Sequence, residues 1–571
     1  MYRKISLSLL VSTLLYSADV KPPEAPESPG IQQQKLDEID KTVTTKKDKA
    51  IIDKLEVSKE AEGQGENRIK GPTFVLQNVS ITGNTVLDQQ TIIDIVKPYV
   101  GKGVDSIDLK SISEKITNIY KSKGYVTSKC IIPAQKVQNG NVKFQIIEDK
   151  LGRIVLQGKT TYNYDTNIFM RYLADLQGKI INADELNDRL KILSNLPVTK
   201  IKPSLQKTNQ GFTNLVLEIT EGAEKFAISL DNSGSAYTGE QRFTFNGNIN
   251  NIRGKSDSLA LSLTTVKEQK HLTSFSSSYV TPYGVHGGRL IFGYSHMYYQ
   301  LDPKKVGTDT VIYEGGTDIV SLNYTQPLYI LDKSNLSFNY GFEKKSVSSQ
   351  TIQNYDTDGS GGGDVLIDGL DETFVLNGGI SLSKADDYFG EKYLGVNSVS
   401  LNIKKALEGF WNSMTQEDLD RKEDDTSFPL SGPIKYGNGL NPSFMKYYYT
   451  LQRQQQLPYE TLLRVTFSGD YTKHRVPDSY EYSGGDYGYA YSAAFSKKIW
   501  WDIDSSISAS QSKVYTYDTD MDKDSVENSP SFGISLTKSY KDLYLSLSYS
   551  SSFDTWDSNE NSVRYTLKYS W

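Results

Sequence analysis

Histidine and cysteine are the side chains of this sequence best suited to metal binding and nucleophilic chemistry, and their spacing favours neither. The four histidines show no ligand spacing with cysteine or glutamate; they are His271, His286, His296 and His474. The single cysteine, Cys130, cannot form an internal disulfide. No Gly-x-Ser-x-Gly, phosphate-loop or zinc motif is present. The sequence therefore predicts no catalytic residue, no cofactor and no metal ligand, and it argues against an enzyme.

Two acidic segments have a spacing that resembles cation-binding loops. Asp356, Asp358, Ser360 and Gly361 match the start of a calcium loop, but the twelfth position is Ile367, where a bidentate glutamate is required. The second segment alternates aspartates with other residues, at Asp518, Asp520, Asp522 and Asp524. Like charges repel one another and stay hydrated, so both segments are interpreted as solvated loops.

Composition narrows the class of protein. The 571 residues include 63 basic and 69 acidic side chains, a net charge of −6, without the basic stripe that nucleic-acid binding requires. Mean hydropathy is −0.48, and no apolar run reaches the roughly 18 residues of a membrane-spanning helix, which excludes a helical membrane protein. The 39 tyrosines and 44 glycines suit β-strands that face lipid, because tyrosine is favoured at membrane interfaces.

The N-terminus predicts export. Arg3 and Lys4 precede the apolar stretch Ile5 to Leu15, and Ser17 and Ala18 are small residues suited to cleavage, so residues 1–18 read as a secretion signal.

A leader of different composition follows, at residues 19–72. Its proline-rich part, Lys21 to Gly30, and the stretch Gly63 to Pro72 read as linkers. Between them, Gln34 to Lys59 is rich in charge, with apolar residues loosely at helical intervals. This stretch is either a disordered spacer or a mobile amphipathic helix that docks elsewhere.

Residues 73–150 and 151–222 carry one pattern twice, a strand, two helices and two strands. In the first copy, the second helix has Asp108 as its predicted N-cap and Gly124 as its C-terminal stop. Asn139 and Gly140 form a strong hairpin signal before the last strand. Two small β-α-α-β-β modules in tandem are predicted.

Residues 223–571 change from helical spacing to alternation with a period of two. The last segment shows it best, with apolar or aromatic side chains at Val563, Tyr565, Leu567, Tyr569 and Trp571. A lipid-facing sheet must close into a barrel, because unpaired edges cannot be solvated in hydrocarbon. Long loops are expected at Gln350 to Asp371, Glu408 to Ser443 and Tyr517 to Ser529. A soluble β-sandwich would also alternate and is the alternative.

Both regions resemble one family. The segments VSITGNTVLDQQTI, DLKSISEKITNIYKSKGYVTSKCIIPAQKVQNGNVKFQIIED and IVLQGK look like the paired polypeptide-transport-associated (POTRA) domains of the two-partner secretion transporters, the outer-membrane relatives of the filamentous-haemagglutinin and haemolysin exporters. The segment ISLDNSGSAYTGEQRFTFNGNINNIRGKSDSLALSL is similar to their first barrel hairpin, with Asp231, Asn232, Gly234 and Gly239 in the expected places. The resemblance implies an all-β transmembrane barrel of sixteen antiparallel strands after two α+β POTRA domains. It also implies that residues 34–59 are an N-terminal plug helix.

The resemblance implies a function as well. The POTRA domains would recognise an unfolded exoprotein in the periplasm of a Gram-negative bacterium, the plug would leave, and the exoprotein would cross the outer membrane through the barrel. Further implied partners are outer-membrane lipid and the barrel-assembly machinery, with Tyr569 and Trp571 as the C-terminal assembly signal. Neither a cofactor nor nucleic acid is expected. Two alternatives remain open: an insertase for other barrels, which usually carries more modules, and a passive porin, which would not need modules.

One feature of the resembled family is missing. Its transporters fold an outer loop back into the barrel, where an arginine at the loop tip pairs with an aspartate on the barrel wall. The equivalent region has no arginine, and Ser510 stands where the aspartate is expected. Because both partners are absent, no unpaired charge is buried. The candidate inward-loop residues here are Gly484, Gly485, Asp486, Tyr487, Gly488 and Tyr489. Such a loop would be held by packing and hydroxyl hydrogen bonds, and the alternative is an ordinary hairpin tip in water.

Overall fold

The computed structural model describes residues 73–571, apart from short internal gaps. The gaps are residues 159–166, 195, 197–198, 209–210, 223, 235–238, 268–271, 302–303, 307–308, 332–333, 354–363, 391, 421–429, 433–439, 478–479, 481–485, 518–522 and 554–558. The predicted secretion signal, linkers and plug helix lie outside the described residues. So do the calcium-like residues 356–361 and the aspartates at 518, 520 and 522.

The first module is a small three-stranded sheet covered by two helices. The three strands of the sheet are β2 Asn78–Thr82, β4 Lys129–Ile131 and β5 Asn141–Ile147, and two short strands, β1 Phe74–Val75 and β3 Gly103–Val104, form a separate pair. The helices are Gln89–Val96 and Ser106–Ser122, with a 3-10 turn at Lys97–Tyr99. The order β2-β5-β4 places β2 parallel and β4 antiparallel to β5, and β1 pairs with β3. The longer helix buries one apolar face against the sheet, because Ile112, Ile116 and Tyr120 recur at helical spacing.

The start of the longer helix differs from the sequence prediction. Asp105, not Asp108, is the N-cap: its Oδ1 accepts the N–H groups of Ile107 at 2.8 Å and Asp108 at 3.0 Å. Asp108 accepts the N–H of Asp105 at 3.1 Å and so completes a capping box. Two aspartates three residues apart both look like caps in sequence, and the helix begins after the first. Gly124, at φ +87°, ends the helix as predicted.

The predicted hairpin turn is present. Asn139 and Gly140 both have positive φ, 53° and 69°, and Gln138 pairs with Asn141 across them, as in a type I′ turn.

The second module repeats the sheet arrangement of the first. Its strands are β6 Lys150–Gln157, β7 Thr199–Lys207 and β8 Phe212–Glu221, and its helices are Asn167–Leu173 and Ala183–Ser194, with a 3-10 turn at Ala174–Leu176. In the order β6-β8-β7, β6 is parallel and β7 antiparallel to β8, which is the pattern of β2, β5 and β4. The two copies predicted from sequence therefore share one topology.

The Glu148 carboxylate, near the end of the first module, accepts hydrogen bonds from residues near its start. Glu148 Oε1 accepts the N–H groups of Thr85 at 2.8 Å and Val86 at 3.3 Å, and the hydroxyl of the fully buried Tyr120 lies 2.8 Å from the same atom. Burial disfavours the charged carboxylate, but these hydrogen bonds outweigh burial and lower the pKa of Glu148. The charged form of Glu148 therefore stabilises the folded module.

This network predicts a pH dependence of module stability. Because the folded-state pKa lies below the ordinary value, the stabilisation is complete at neutral pH and is lost as pH falls through about 4.5 and below. Differential scanning calorimetry of the full-length protein in detergent should show that Glu148→Gln lowers the module transition at pH 7. The difference from wild type should shrink toward pH 3.5. The exposed Glu114→Gln is the matched control and should show neither effect. A difference that is constant with pH would contradict the assignment.

Residues 225–570 form a closed barrel of sixteen antiparallel strands, which confirms the fold class expected from the sequence. The strands are β9 Lys225–Asp231, β10 Arg242–Asn250, β11 Ser258–Val266, β12 Leu272–Tyr283, β13 Gly288–Gln300, β15 Asp309–Leu331, β16 Ser334–Gln353, β17 Asp364–Asp386, β18 Gly395–Ala406, β20 Met445–Leu457, β21 Thr461–Thr472, β22 Tyr487–Ile499, β23 Ile503–Tyr517, β24 Lys523–Tyr540, β25 Leu543–Phe553 and β26 Asn559–Ser570. Two short strands, β14 Lys304–Val306 and β19 Leu430–Gly432, lie in connections, as do 3-10 turns at Phe410–Asn412 and Trp500–Asp502 and a helix at Gln416–Asp420.

The connections differ in length at the two ends of the barrel. On the side of the modules the strands join through short turns. On the far side, residues 407–444 form a long connection, in agreement with the sequence. The two other expected loops are shorter than predicted. The loop predicted at Gln350 to Asp371 is shortened because β16 continues to Gln353 and β17 starts at Asp364. The loop predicted at Tyr517 to Ser529 is shortened because β24 starts at Lys523. The polar composition of these segments predicted loops. In the structure their ends pair with a neighbouring strand, and this pairing extends the strands despite the polar composition.

The two faces of the strands differ as the alternation predicts. Outward side chains such as Leu401, Ile403 and Leu547 are apolar and 45–50% exposed, while their neighbours in sequence point into the barrel. At the module-side turns, the rings of Tyr459 and Trp500 are 83% and 84% exposed. Aromatic rings at one rim of an apolar band are typical of a membrane interface.

Among the described residues, no helix is both long enough and apolar enough to cross a membrane.

Candidate functional site

The connection between β21 and β22 folds back into the barrel. Two of its residues, Val476 and Tyr480, are 0% and 5% exposed, and they pack with Val375, Ala406 and Phe444. The Tyr480 and Phe444 ring centroids are 4.9 Å apart. Val375 and Ala406 alternate with outward-facing neighbours on β17 and β18, so this cluster lies in the barrel interior. The described residues of this connection, 473–477, 480 and 486, are therefore called the inward segment.

Tyr480 connects the inward segment to the wall formed by β16, β17 and β18. Its hydroxyl donates to Glu343 at 2.8 Å, and Thr373 Oγ1 lies 3.4 Å from the same oxygen. Lys404 places its Nζ 5.5 Å from the Tyr480 ring centroid, close enough for a cation–π contact, and also 3.4 Å from Glu343. One tyrosine side chain thus contacts three neighbouring strands inside the barrel.

A buried ion pair holds the backbone of the inward segment. Lys446 on β20 is fully buried, and its Nζ lies 2.8 Å from Oδ2 of Asp470 on β21. The same Nζ donates to the carbonyl oxygens of Tyr480 at 2.5 Å and Asp486 at 3.0 Å. An ammonium has three hydrogens, so Lys446 can donate to Asp470 and to both carbonyls at the same time. Lys446 and Asp470 both lie on barrel strands, so the ion pair positions the Lys446 ammonium, and its two carbonyl contacts hold the inward segment.

Asp486 closes the inward segment at its base. Its side chain is fully buried, Oδ1 accepts the N–H of Val476 at 2.8 Å, and Oδ2 accepts the N–H of Tyr517 at 2.9 Å. The carboxylate therefore joins both ends of the segment and fixes them to the end of β23. Asp486 is the inward-loop candidate that the structure places in this role.

The other inward-loop candidates have different positions. Tyr487, Gly488 and Tyr489 lie in β22, and Gly484 and Gly485 lie outside the described residues. Tyr487 stacks on Tyr515 at 5.0 Å on the outer face of the barrel. The alternation of tyrosine with glycine or alanine in this stretch is a strand pattern, and this signal was available in the sequence. Tyr487 to Tyr489 therefore belong to the barrel wall and not to the inward segment.

The buried Lys446–Asp470 ion pair joins two barrel strands and therefore differs from the loop-to-wall pair of the resembled family. Ser510 lies on β23, and its hydroxyl is 2.6 Å from that of Ser531, so this position carries no charge. Lys446 and Asp470 were missed, although each is a charged residue within an aromatic strand. Their meeting depends on register, since Lys446 pairs with Thr472 and Tyr448 with Asp470, which makes the two charged residues diagonal neighbours.

The first barrel hairpin positions the strands that close the barrel. Asp231 lies 3.1 Å from Arg242 on the adjacent strand β10. Asn232 donates from Nδ2 to the carbonyl of Val563 at 2.8 Å and accepts the N–H of Tyr565 at 2.7 Å. The hairpin thus holds the last strand, β26, beside β9.

The two glycines of this hairpin allow a close backbone approach. A Cβ on Gly234 would lie 1.9 Å from the carbonyl oxygen of Gly239, and Gly239 itself has φ +103°. A side chain at either position would disturb the hairpin that carries Asn232.

The C-terminus completes the closure. Trp571 and Phe226 exchange two backbone hydrogen bonds, at 2.9 and 3.0 Å, and their ring centroids are 6.1 Å apart. The Tyr569 ring stacks on Trp571 at 5.8 Å, and both rings are 52% exposed on the outer face. The last residues therefore contribute to the joint between the first and last strands.

Two segments of the chain match family models. Residues 74–149 match the ShlB-type POTRA domain, and residues 211–356 match the haemolysin secretion/activation protein family ShlB/FhaC/HecB.

Curated relatives align with part of the chain. The heme/hemopexin transporter protein HuxB of Haemophilus influenzae is 28% identical over 235 residues, which cover 38% of this chain and 40% of that protein. The outer membrane transporter CdiB of Dickeya dadantii is 21% identical over 292 residues, covering 51% and 49%. The chain thus aligns with about half or less of the length of these relatives.

Solved structures share the fold over nearly the whole chain. CdiB from Escherichia coli superposes with a TM-score of 0.65 at 15% identity, covering 96% of this chain and 100% of that chain. CdiB from Acinetobacter baumannii gives 0.57 at 16% identity, covering 95% and 98%.

A sixteen-strand barrel with an inward segment, preceded by two modules of POTRA topology, defines an outer-membrane β-barrel protein of the POTRA-bearing class. The chain is similar to the haemolysin secretion/activation protein family over the two matched segments, and its modules lie on the periplasmic side of the outer membrane. This confirms the resemblance found in the sequence.

Proposed function

We propose that this protein secretes an unfolded exoprotein across the outer membrane, by capturing it with the periplasmic modules and passing it through the barrel. The observation that carries the proposal is the combination of sheet-edge modules on the entry side with residues of the inward segment packed inside the barrel. Neither a catalytic residue nor a cofactor takes part. Folding of the cargo outside the cell can bias its movement outward.

The modules offer edges for an extended chain. Within the described residues, β2 pairs with β5 alone and β7 pairs with β8 alone, so each strand has a free edge. An extended peptide can add to such an edge through backbone hydrogen bonds, which tolerate many sequences. This suits the capture of an unfolded protein before transport.

The barrel supplies the second requirement, a path that can be opened. The segment that occupies the lumen is held by Lys446, Asp470, Asp486 and Tyr480, and none of these contacts is covalent. Release of the segment would free the space that Val476 and Tyr480 now fill. A fixed β-strand in the same place could not be displaced without breaking the barrel.

The names of the relatives support transport as the function of this chain. HuxB is named as a transporter of heme/hemopexin and CdiB as an outer membrane transporter. For this chain we propose a large secreted protein. Comparison of culture supernatants from the parent strain and a strain that lacks this gene should reveal it as the protein that disappears.

Deletion of Phe74 to Asp149 tests the capture step. Secretion should fall to background, because the first module and its edge strand β2 are lost, while the barrel still inserts and remains heat-modifiable. The measurement is cargo in the medium and barrel in outer-membrane fractions.

A second variant separates capture from spacing. In it, residues 74–149 are replaced by a folded domain of similar size that has no open sheet edge. If the first module is only a spacer, this variant restores export. Normal secretion by either variant would contradict the proposed capture role.

A further inference from the structure

A cavity of about 380 Å³ lies where the second module meets the outer surface of the barrel. Its module wall is the helix Asn167–Leu173, and its barrel wall comes from β12, β13 and the turn at residues 251–257. The Tyr172 hydroxyl donates to the Gly284 carbonyl at 3.3 Å, which fixes the module against the barrel beside the cavity. The cavity is therefore a defined space between two folded parts of the chain.

The barrel wall of this cavity faces the lipid. Tyr279 and Phe292 are paired residues on β12 and β13, with ring centroids 6.3 Å apart, and both belong to the outward-facing set. Leu290 and Tyr283 extend the same face toward the periplasmic turn. Phe292 and Tyr283 are 46% and 59% exposed. The cavity thus opens at the level where the bilayer meets the periplasm.

Basic side chains line the rim of this apolar wall. Arg171, Arg253 and Lys255 lie around the cavity, and its lining includes no carboxylate. Arg253 already pairs with the buried Asp257 at 3.1 Å and stacks on the Tyr279 ring at 5.2 Å. Arg171 and Lys255 are exposed and make no ion pair with any residue that the structure describes. Among the described residues, these two positive charges therefore have no acidic partner beside the bilayer.

We propose that this cavity binds the headgroup of an anionic glycerophospholipid from the periplasmic leaflet of the outer membrane. The phosphate would contact Arg171, Lys255 and the outer edge of Arg253, and the glycerol and first acyl carbons would lie on Leu290 and Phe292. Attraction of basic side chains to anionic headgroups acts at this interface, and aromatic rings favour the same depth. Because the cavity contacts both parts, a bound lipid would also hold the second module against the barrel. The proposal does not depend on what the barrel transports.

Native mass spectrometry of the full-length protein in detergent, titrated with phosphatidylglycerol, tests this proposal. The wild-type protein should retain one phosphatidylglycerol at higher occupancy than phosphatidylcholine. The double variant Arg171→Gln, Lys255→Gln should weaken the apparent affinity roughly 10- to 30-fold, because two attractive charges are lost. Both side chains are exposed and have no ion-pair partner in the described part of the chain, so the fold should be unaffected.

Two further arms make the outcome decisive. The control Lys384→Gln, Lys541→Gln removes the same charge from other exposed positions at the periplasmic end of the barrel and should bind like wild type. Inorganic phosphate at millimolar concentration should not displace the lipid, whereas displacement would identify a free anion as the ligand and overturn the lipid assignment. Equal loss in both double variants, or no loss in either, would overturn the site.

Discussion

Removal of Tyr569 to Trp571 should reduce the protein in outer-membrane fractions to less than about a tenth of wild type. The joint between β26 and β9 has five paired positions, from Thr566 to Ser570, and the deletion removes two of them. It also removes both backbone hydrogen bonds between Trp571 and Phe226. Unpaired strand edges cannot be solvated in hydrocarbon, so a barrel that cannot close should not remain in the membrane. Heat-modifiable migration of extracted protein measures closure.

Point variants separate closure from recognition of the aromatic end. Trp571→Phe keeps a ring beside Phe226 and the backbone bonds, and it should assemble normally. Trp571→Ser keeps only the backbone bonds. If Trp571→Ser assembles and the deletion does not, backbone closure is the cause; if both fail, the exposed ring is needed as an assembly signal. Normal insertion of the truncated protein would contradict both readings.

The sequence was sufficient for features that depend on local patterns. The alternation that ends at Trp571 predicted lipid-facing strands, and the pair Asn139-Gly140 predicted a turn in which both residues have positive φ. Each signal is contained within a few neighbouring residues. The prediction of the N-cap was wrong, although it also depends on neighbouring residues only. Asp105 and Asp108 have the same side chain, and the capping box uses both of them.

Features that depend on register could not be read from the sequence. Lys446 and Asp470 meet because a short turn sets β20 against β21 as diagonal neighbours, and a shift of one residue would turn one of them to the lipid. Tyr487 to Tyr489 were assigned to the inward loop from aromatic and glycine content, but their alternation continues the strand. The cavity between the second module and the barrel is even harder to predict from the sequence. Its basic residues Arg171 and Lys255 belong to separate folded parts of the chain.

The buried ion pair between Lys446 and Asp470 leads to a prediction about single-channel conductance. Lys446→Met leaves Asp470 with the N–H of Gly488, 3.0 Å from Oδ1, but without its ammonium partner, and it leaves the carbonyls of Tyr480 and Asp486 without this donor. Removing one partner of a buried pair costs about 3–5 kcal/mol, and release of the inward segment would let water reach Asp470, so we expect the variant to favour release. In planar bilayers, the single-channel conductance of Lys446→Met should rise severalfold over wild type, and openings should last longer.

The matched control is the double variant Lys446→Met, Asp470→Leu, which removes both charges at once. Apolar side chains of similar volume can replace a buried ion pair at little cost, so most of the inward packing of Tyr480 against Phe444 should survive and conductance should stay nearer to wild type. The difference between single and double variants measures the contribution of the uncompensated aspartate. A wild-type record from Lys446→Met would show that the segment is held by Tyr480 and Asp486 alone. Equal opening in the single and double variants would instead assign the lock to the lysine contacts with the Tyr480 and Asp486 carbonyls.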